Sequence, residues 1–388
     1  MRSVPVRQLR EGDRLGRDVF GSLDGLPLLR AGVRLSGSYQ QSLLRAGITS
    51  VWVDDGLSEG IEPLEVLEEA TRQRATAAIR DAFQDASRSL ARGETIAADK
   101  VQEMRGVAEL IVGDIARNVH SALALNDLAN ADGYTLKHSL AVTTLGLSLG
   151  IRVLRKYGWT DAYGRQRYDG ISDRLAALGV GLLLHDIGKL AVPPEILQKP
   201  QALTADEWQA VREHPTLGVQ ILKKAEGISP LARAVVRSHH ERWNGAGYPD
   251  GQAGEAIHQF ARIAAVADVF DALTSDRYYR QALPTREAYD HIISRVGCDF
   301  DPQVVDVFRS CVAPYPPGSG VVLSDGCRGL VKDVRQEAVL APVVRIVMDA
   351  SGAMVPPREV DLSRQTDLTI VSAAFELPQE QPVIAGAP

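Results

Sequence analysis

The sequence predicts a mainly α-helical protein with a small β-rich module at each end. Between residues 120 and 313 every strong pattern is helical, because apolar residues recur at the three- and four-residue spacing of a buried helix face. Before residue 59 and after residue 313, short β-branched stretches alternate with glycine turns, which indicates short antiparallel strands. Hydrophobic residues make up 45% of the 388 positions and charged residues 24%, which is typical of a globular protein.

The first module is predicted to span residues 1–58. Apolar pieces at 18–20, 26–29 and 50–53 are expected to be strands, and a short helix is expected between Tyr39 and Ala46. This segment contains neither a phosphate-binding loop nor a cluster of metal-ligating side chains. It is therefore interpreted as a folding or docking module.

Residues 59–119 are predicted to be a helical linker. Helix-forming residues dominate this segment, and Leu64, Leu67 and Ala70 begin an apolar face at helical spacing. Two interpretations stay open for the segment: helices with a solvated charged face, or a surface that forms a homodimer or carries a signal.

Residues 120–313 are predicted to form the central helical domain. A polar, aromatic piece, 155–169, is expected to be a loop between two core helices. Core helices are expected from 140 onward and at 175–184, 208–224, 231–238 and 261–274.

The predicted C-terminal β module spans residues 314–374 and is followed by a tail, 375–388. The tail is rich in proline, glutamine and alanine and is expected to be disordered. Strands are expected at 321–323, 329–331, 343–347 and 368–371, parted by Asp-Gly and Ser-Gly turns.

Charge and cysteine content restrict the class of protein. A net charge of -6 argues against a partner that is a nucleic-acid polymer. The N-terminus lacks the apolar core of a signal peptide, and the apolar run 175–184 is too short to span a bilayer, so membrane insertion is not expected. Cys298, Cys311 and Cys327 have neither metal-ligand nor disulfide spacing, which fits a cytoplasmic protein.

His185 and Asp186 stand directly after the apolar run 175–184. Burying such groups is costly unless each finds a partner, and a divalent metal ion suits both. Adjacent side chains on a helix point about 100° apart, so the pair can face one metal or straddle two, with the carboxylate as the bridge. The alternative is a hydrogen-bonded polar pair that closes a core helix.

Further histidines and one aspartate have similar surroundings. Taken singly, each is more typical of a satisfied core residue or a helix cap, but together they favour a two-metal site on a helical scaffold. His120, His258 and His291 lack this setting and are interpreted as surface or structural residues. The candidate ligands are His138, His185, Asp186, His214, His239, His240 and Asp268.

Two further segments have residues suited to a pocket. A loop with three glycines, 241–251, follows the paired histidines and is expected to line the site, although a plain connection is the alternative. Arg277 and Arg280 lie three residues apart, on one face if helical, and could hold a phosphate. A salt-bridged surface is the alternative there.

The order of these residues resembles the HD-GYP phosphodiesterases of the HD superfamily, over about residues 120–312. The matching strings are His-Asp-Ile-Gly-Lys at 185–189, His-His-Glu-Arg-Trp-Asn-Gly-Ala-Gly-Tyr-Pro-Asp-Gly at 239–251, Ala-Asp-Val-Phe-Asp-Ala-Leu-Thr-Ser-Asp-Arg at 267–277 and Phe-Asp-Pro at 300–302. The resemblance implies an HD-type all-helical bundle. It also implies a bacterial signalling enzyme that hydrolyses cyclic di-GMP to the linear dinucleotide pGpG, in some members on to GMP.

The resemblance also implies a role for each matching residue. Asp186 would bridge two metals, with His138, His185 and Asp268 on one and His214, His239 and His240 on the other. Lys189, Tyr248, Arg277 and Arg280 would contact substrate. Mixed histidine and carboxylate ligation favours iron or manganese. The expected reaction is attack of a metal-bridging hydroxide on phosphorus, with Asp186 and Lys189 as the catalytic groups.

One departure from the family limits the expected number of metals. Some members bind a third metal through a glutamate four residues before the first histidine, and Tyr134 occupies that position. Two metals are therefore expected. Two alternative functions stay open: a weakly catalytic sensor or adaptor that binds cyclic di-GMP, and an HD phosphohydrolase that acts on another nucleotide.

Overall fold

The computed structural model describes residues 1–20, 27–46, 48, 50–63, 65–118, 134–161, 163–199, 201–275 and 282–373. For residues 134 and 135 it describes the backbone only. The tail predicted to be disordered, 375–388, lies outside these ranges. Within them the chain has the predicted fold class, a helical centre between two β-rich ends, and this prediction is confirmed.

Within its described residues, the N-terminal β-rich unit has two two-stranded sheets and one α-helix. Strand β1 (Arg2–Pro5) pairs antiparallel with β4 (Ser50–Val53), and β2 (Val19–Phe20) pairs with β3 (Pro27–Leu29). Helix α1 (Gly37–Arg45) contributes Leu43 to the small core under these strands.

The helical centre has one continuous apolar core, and the segment predicted to be a linker contributes to it. Ile79, Met104 and Ile111 from that segment have no exposed surface. The helices are α2 (Glu69–Ala91), α3 (Ala98–Arg117), α4 (Tyr134–Tyr157), α5 (Ile171–Leu183), α6 (Pro194–Leu197), α7 (Ala205–Arg212), α8 (His214–Ile221), α9 (Pro230–Ser238), α10 (Gln259–Thr274), α11 (Thr285–Ser294) and α12 (Pro302–Cys311).

Helix α5 lies at the middle of this core and packs against α3, α4 and α9. Its approach to α4 is close because α4 presents glycines there. A Cβ atom at Gly146 would lie 2.6 Å from Leu182, and one at Gly150 would lie 2.5 Å from Leu178. This close packing fixes the end of α5, where His185 and Asp186 follow.

Two predicted boundaries in the helical centre were wrong. The stretch 208–224 is two helices, because Pro215 has no N–H to continue the hydrogen-bond ladder of α7. The loop expected at 155–169 is instead the last turn of α4 followed by a two-stranded hairpin, β5 (Trp159–Thr160) and β6 (Gln166–Arg167).

The C-terminal unit is a five-stranded antiparallel sheet with the order β10-β9-β8-β7-β11. Strand β10 was not predicted, because Pro356 and Pro357 are untypical of strands. It is tolerated at the sheet edge, with a register shift between Met354 and Arg358. The strands are β7 (Gly320–Leu323), β8 (Arg328–Asp333), β9 (Val343–Met348), β10 (Met354–Asp361) and β11 (Ile370–Ala373).

The two β-rich ends of the chain touch each other. The Ser3 N–H donates to the carbonyl of Gly318 over 3.3 Å, and the Arg345 guanidinium donates to the carbonyl of Leu57 over 3.2 Å. None of the helices in the described ranges combines the length and apolarity needed to cross a bilayer.

Candidate metal centre

His185 and Asp186 lie between α5 and a short 3₁₀ helix, Ile187–Ala191. Helix α5 ends at Leu183. His185 and Asp186 therefore follow the helix, whereas the sequence predicted that they lie on it. Both side chains are almost fully buried, with about 1% of their surface exposed. A turn at this point directs the imidazole and the carboxylate into the interior, where neighbouring helices supply further polar groups.

The structure brings all seven candidate ligands together, and four helices supply the other five. His138 lies in the second turn of α4, His214 begins α8, His239 and His240 directly follow α9, and Asp268 lies within α10. Six of them form two groups, His138 with His185 and Asp186, and His214 with His239 and His240. Within each group the ligand atoms lie within 4.8 Å of one another.

Asp186 connects the two groups. Its Oδ2 lies 3.4 Å from Nε2 of His185 and 3.5 Å from Nε2 of His138, whereas its Oδ1 lies 3.3 Å from Nε2 of His214. One carboxylate therefore presents one oxygen to each group. This arrangement suits a carboxylate that bridges two cations.

Asp268 also contacts both groups. Its Oδ1 lies 3.2 Å from Nε2 of His138, and its Oδ2 lies 3.6 Å from Nδ1 of His240. Around a cation with bonds near 2.1 Å, adjacent ligand atoms in an octahedron lie about 3.0 Å apart. The observed separations are close to that value.

The outer hydrogen bonds of the rings leave nitrogen lone pairs facing inward. The Nδ1 atoms of His185 and His214 each lie 2.7 Å from a backbone carbonyl, of Leu182 and Val211 respectively. Because a carbonyl only accepts, each Nδ1 must carry a proton, and in the neutral ring Nε2 then keeps its lone pair. Anchoring of this kind is typical of histidines that bind metal.

The distance between the Nε2 atoms of His214 and His239 shows whether a cation suits this site. Nδ1 of His239 lies 3.1 Å from the carbonyls of Val235 and Val236, so its Nε2 is also unprotonated. The two Nε2 atoms are only 3.2 Å apart. Two lone pairs at this distance repel each other unless a cation lies between or beside them, so the residues present fit a divalent metal.

The pKa of His138 is shifted in the opposite direction from the pKa values of His214 and His239. Burial, with the neighbouring rings of His185 and His214, lowers the pKa of His239 to about 3, and burial also lowers the pKa of His214. At His138 burial also acts against protonation, but hydrogen bonds to Asp268 and Asp271 outweigh it and raise the pKa to about 9.

The two carboxylates are held in their charged form. Burial opposes ionisation of Asp186, but Lys189 and the surrounding histidines hold its pKa well below the usual range. Burial likewise acts against ionisation of Asp268, and His138 and His240 keep its pKa low. Ionised carboxylates and neutral imidazoles are the forms that bind divalent cations.

Lys189 lies beside the centre, and its expected contact with substrate stays a prediction. Its ammonium donates to Oδ2 of Asp186 over 2.5 Å, and about 28% of its side chain stays exposed. The preceding Gly188 lets this turn approach α8 closely, since a Cβ atom there would lie 1.8 Å from the carbonyl oxygen of His214.

The glycine-containing loop after His240 folds back over the centre. The ring of Tyr248 stacks on that of His240, with 4.7 Å between centroids and 26° between planes. The buried carboxylate of Glu241 accepts hydrogen bonds from the backbone N–H groups of Asp250 and Gln252, at 2.7 and 3.0 Å. The loop therefore lines the centre, as the sequence predicted.

Two predicted site residues cannot be compared with the structure, and three residues near the centre were not predicted. Arg277 and Arg280 lie outside the described residues, so their expected substrate contacts stay predictions. The sequence interpretation missed Asp271, which lies 2.7 Å from Nδ1 of His138, as well as Glu241 and Arg212. A signal for Asp271 existed: it follows Asp268 by three residues on one helix, and such residues share a face.

Comparison with known proteins identifies relatives of this chain. A model of the HD domain matches residues 167–304, and a model of the KOW domain associated with the HD domain matches residues 320–377. A cyclic di-GMP phosphodiesterase of Pseudomonas aeruginosa is 34% identical over an alignment 399 positions long. The alignment covers 95% of this chain and 91% of that protein.

Two other relatives match over shorter stretches. The cyclic di-GMP phosphodiesterase response regulator of Xanthomonas campestris is 44% identical over 124 residues, 32% of this chain and 33% of the relative. A 3′3′-cGAMP-specific phosphodiesterase of Vibrio cholerae is 41% identical over 158 residues, 41% of this chain and 34% of the relative. Since the Pseudomonas protein is matched along nearly its whole length, the chain belongs to the HD-GYP family of HD-domain phosphodiesterases.

Proposed function

We propose that this cyclic-dinucleotide phosphodiesterase hydrolyses cyclic di-GMP to pGpG, and that pGpG can be cleaved further to GMP. The observation that carries the proposal is the position of Asp186 between two histidine groups. The substrate is supported by the Pseudomonas relative, which is named for cyclic di-GMP and is similar along 91% of its length.

Two divalent cations, iron or manganese, are the proposed cofactors. His138, His185 and Asp268 would hold one, His214, His239 and His240 the other, and Asp186 would contact both. When bound, such a pair supplies a water of lowered pKa and offsets negative charge on phosphoryl oxygens. Iron and manganese are favoured because the donor set mixes imidazole with carboxylate.

The side chains of this protein orient the reacting groups. The Lys189 ammonium keeps Asp186 in place, and its exposed part is available to the phosphoryl oxygens as their charge grows. Burial raises the pKa of the Tyr248 hydroxyl, so it stays protonated at neutral pH and can donate a hydrogen bond to substrate. The ring of Tyr248 covers one face of the His240 ring.

Substitution of the connecting carboxylate tests the proposal. Protein loaded with Fe(II) or Mn(II) is expected to convert cyclic di-GMP, with products separated by chromatography. Asp186→Ala is expected to lose metal and to lose turnover by roughly 100-fold or more. Asp306→Asn is the matched control, because Asp306 is an exposed carboxylate paired with Lys156. Full turnover in Asp186→Ala would rule out the bridging role.

A second candidate substrate has a specific observation in its favour. The Vibrio relative specific for 3′3′-cGAMP matches this chain at 41% identity. A panel of cyclic di-GMP, 3′3′-cGAMP, guanosine tetraphosphate and a nucleoside triphosphate distinguishes these substrates. Binding of cyclic di-GMP without hydrolysis by metal-loaded protein would instead indicate a sensor or adaptor. A cytoplasmic location and a homodimer remain predictions.

A further inference from the structure

Within the ranges that the structure describes, Arg212 has no acidic partner, unlike Arg237 and Arg262. Arg237 pairs with Asp250 at 2.7 Å, and Arg262 pairs with Asp301 at 2.6 Å. Across the ranges that the structure describes, the Arg212 guanidinium has only one contact of this kind, with the face of Tyr248, 4.6 Å from the ring centroid. Its charge and its N–H donors are therefore available to a ligand.

The position of Arg212 is fixed from two sides. It is the last residue of α7, two residues before His214, so the break that places His214 in the centre also places Arg212. Tyr248, which lies under the guanidinium, stacks on His240. The three side chains are thus stacked in the order His240, Tyr248 and Arg212, starting from the group that contains His214 and His239.

The proposed substrate requires a cation at such a place. A cyclic dinucleotide has two phosphodiester groups in one ring, and only one of them can be at the metal centre during cleavage. The other keeps a full negative charge, which costs free energy on binding unless a cation compensates it. Lys189 is bound to Asp186 and is assigned to the phosphoryl group that is cleaved, so the second phosphodiester needs another cation. A guanidinium presents a planar set of donors that matches phosphate oxygens.

We propose that Arg212, stacked on Tyr248, binds the phosphodiester of the cyclic dinucleotide that is not being cleaved. This inference rests on the proposed function. It assigns Arg212 to substrate affinity, so its loss affects a substrate with two phosphodiesters and spares a substrate with only one.

Two substrates and three variants test the inference. Cyclic di-GMP and bis(p-nitrophenyl) phosphate, which has a single phosphodiester, are compared for the metal-loaded wild-type protein, Arg212→Gln and Arg212→Lys. Arg174→Gln is the matched control, because Arg174 also stacks on an aromatic ring, Trp159, but near the opposite end of α5 from His185. Metal content is measured for each protein.

Arg212→Gln is expected to raise KM for cyclic di-GMP roughly 10-fold or more, because hydrogen bonds to charged groups have that effect on affinity. The turnover number, the metal content and KM for bis(p-nitrophenyl) phosphate are expected to stay close to wild type. Arg212→Lys is expected to restore part of the affinity, since it keeps the charge. Arg174→Gln is expected to leave both KM values unchanged.

Several results would overturn the inference. An unchanged KM for cyclic di-GMP in Arg212→Gln would do so, as would an equal loss on both substrates or no gain from lysine over glutamine. The inhibition constant of cyclic di-AMP, which lacks guanine, should rise by the same factor; a rise for cyclic di-GMP alone would assign Arg212 to the base instead. Wild-type protein inactive on cyclic di-GMP would contradict the proposed function itself, which is a separate outcome.

Discussion

His258 begins the helix that carries Asp268. Its Nδ1 accepts the N–H of Phe260 over 3.1 Å and so caps α10. Burial, with the nearby charges of Arg262 and Arg174, lowers the pKa of His258 to about 4. The folded protein therefore keeps this imidazole neutral, whereas in the unfolded chain it takes up a proton near pH 6.5. The stabilisation is fully present above pH 6.5 and is lost as the pH falls towards 4.

Replacing His258 with asparagine should remove this part of the pH dependence. Asparagine can still cap the helix but does not titrate. Between pH 7.5 and pH 5 the free energy of unfolding of the wild-type protein is expected to fall by about 1–2 kcal/mol more than that of His258→Asn. Urea unfolding followed by circular dichroism measures the difference. Parallel pH profiles for the two proteins would mean that folding does not lower the pKa of His258.

At the scale of single residues, the candidate ligands could be predicted but their supporting groups could not. His185 and Asp268 interrupt apolar segments, and a buried polar group in such a segment needs a partner, which a sequence can indicate. Asp271 also lies among apolar residues, but its contact with Nδ1 of His138 depends on how α4 and α10 cross. The contact of Arg212 with Tyr248 depends on how a loop distant in the sequence packs against α7.

Among the structural elements, the loop 241–252 is held by an internal carboxylate. Glu241 is about 1% exposed and accepts two backbone N–H groups from the far end of the loop. Gly247 completes the closure, because a Cβ atom there would lie 2.4 Å from Cα of Glu241. The backbone N–H of Tyr248 donates to the carbonyl of His240 over 3.2 Å. Glu241 is thus a positioning residue for the Tyr248 ring.

Glu241→Gln should loosen this loop. The amide group of glutamine cannot accept from both N–H groups in the same way, and hydrogen bonds to a charged acceptor contribute about 1.5–3 kcal/mol each. We expect kcat/KM for cyclic di-GMP to fall roughly tenfold with metal content unchanged. Glu255→Gln, at an exposed glutamate of the following 3₁₀ turn, is the control and should behave as wild type. Equal kcat/KM values for the two variants would show that the carboxylate does not position Tyr248.

At the scale of elements, periodicity predicted which segments are helical but not where each one stops. The break between α7 and α8 depends on a single proline, and the apolar pattern continues across it. The hairpin of β5 and β6 has only two residues in each strand, too few for alternation to be detected. Strand β10 contains two prolines and is stabilised by its neighbour β9, which local sequence does not reveal.

For the whole molecule, the amino-acid sequence indicated the order of the β-rich and helical units along the chain, but it did not indicate how these units pack against one another. The segment expected to link two domains instead buries Ile79 and Met104 in the same core as α4 and α5. The helical propensity of that segment is a local property, whereas its packing depends on α5 approaching α3 closely at Gly179, where a Cβ atom would lie 2.5 Å from Cβ of Ala108.

The contact between the two ends of the chain depends on Gly318. This residue has a φ of +83°, and a Cβ atom there would lie 2.6 Å from the ring of Trp52 and 3.3 Å from Cα of Arg2. Its carbonyl accepts the Ser3 N–H. Gly352 offers a matched comparison, since it has a φ of +87° but only Met348 within 4.0 Å of such an atom.

Alanine at the two glycines should therefore have different effects. Both substitutions place an alanine in the left-handed region, which costs about 1–2 kcal/mol. Gly318→Ala should destabilise the protein by a further 1–3 kcal/mol, roughly the cost of overpacking, because the methyl group meets Trp52. Hydrogen exchange at Ser3 should accelerate in Gly318→Ala alone, since of the two glycines it is Gly318 whose carbonyl accepts the Ser3 N–H. If the two variants lose equal stability and Ser3 exchanges at the wild-type rate in both, the two β-rich ends do not stabilise each other through this glycine.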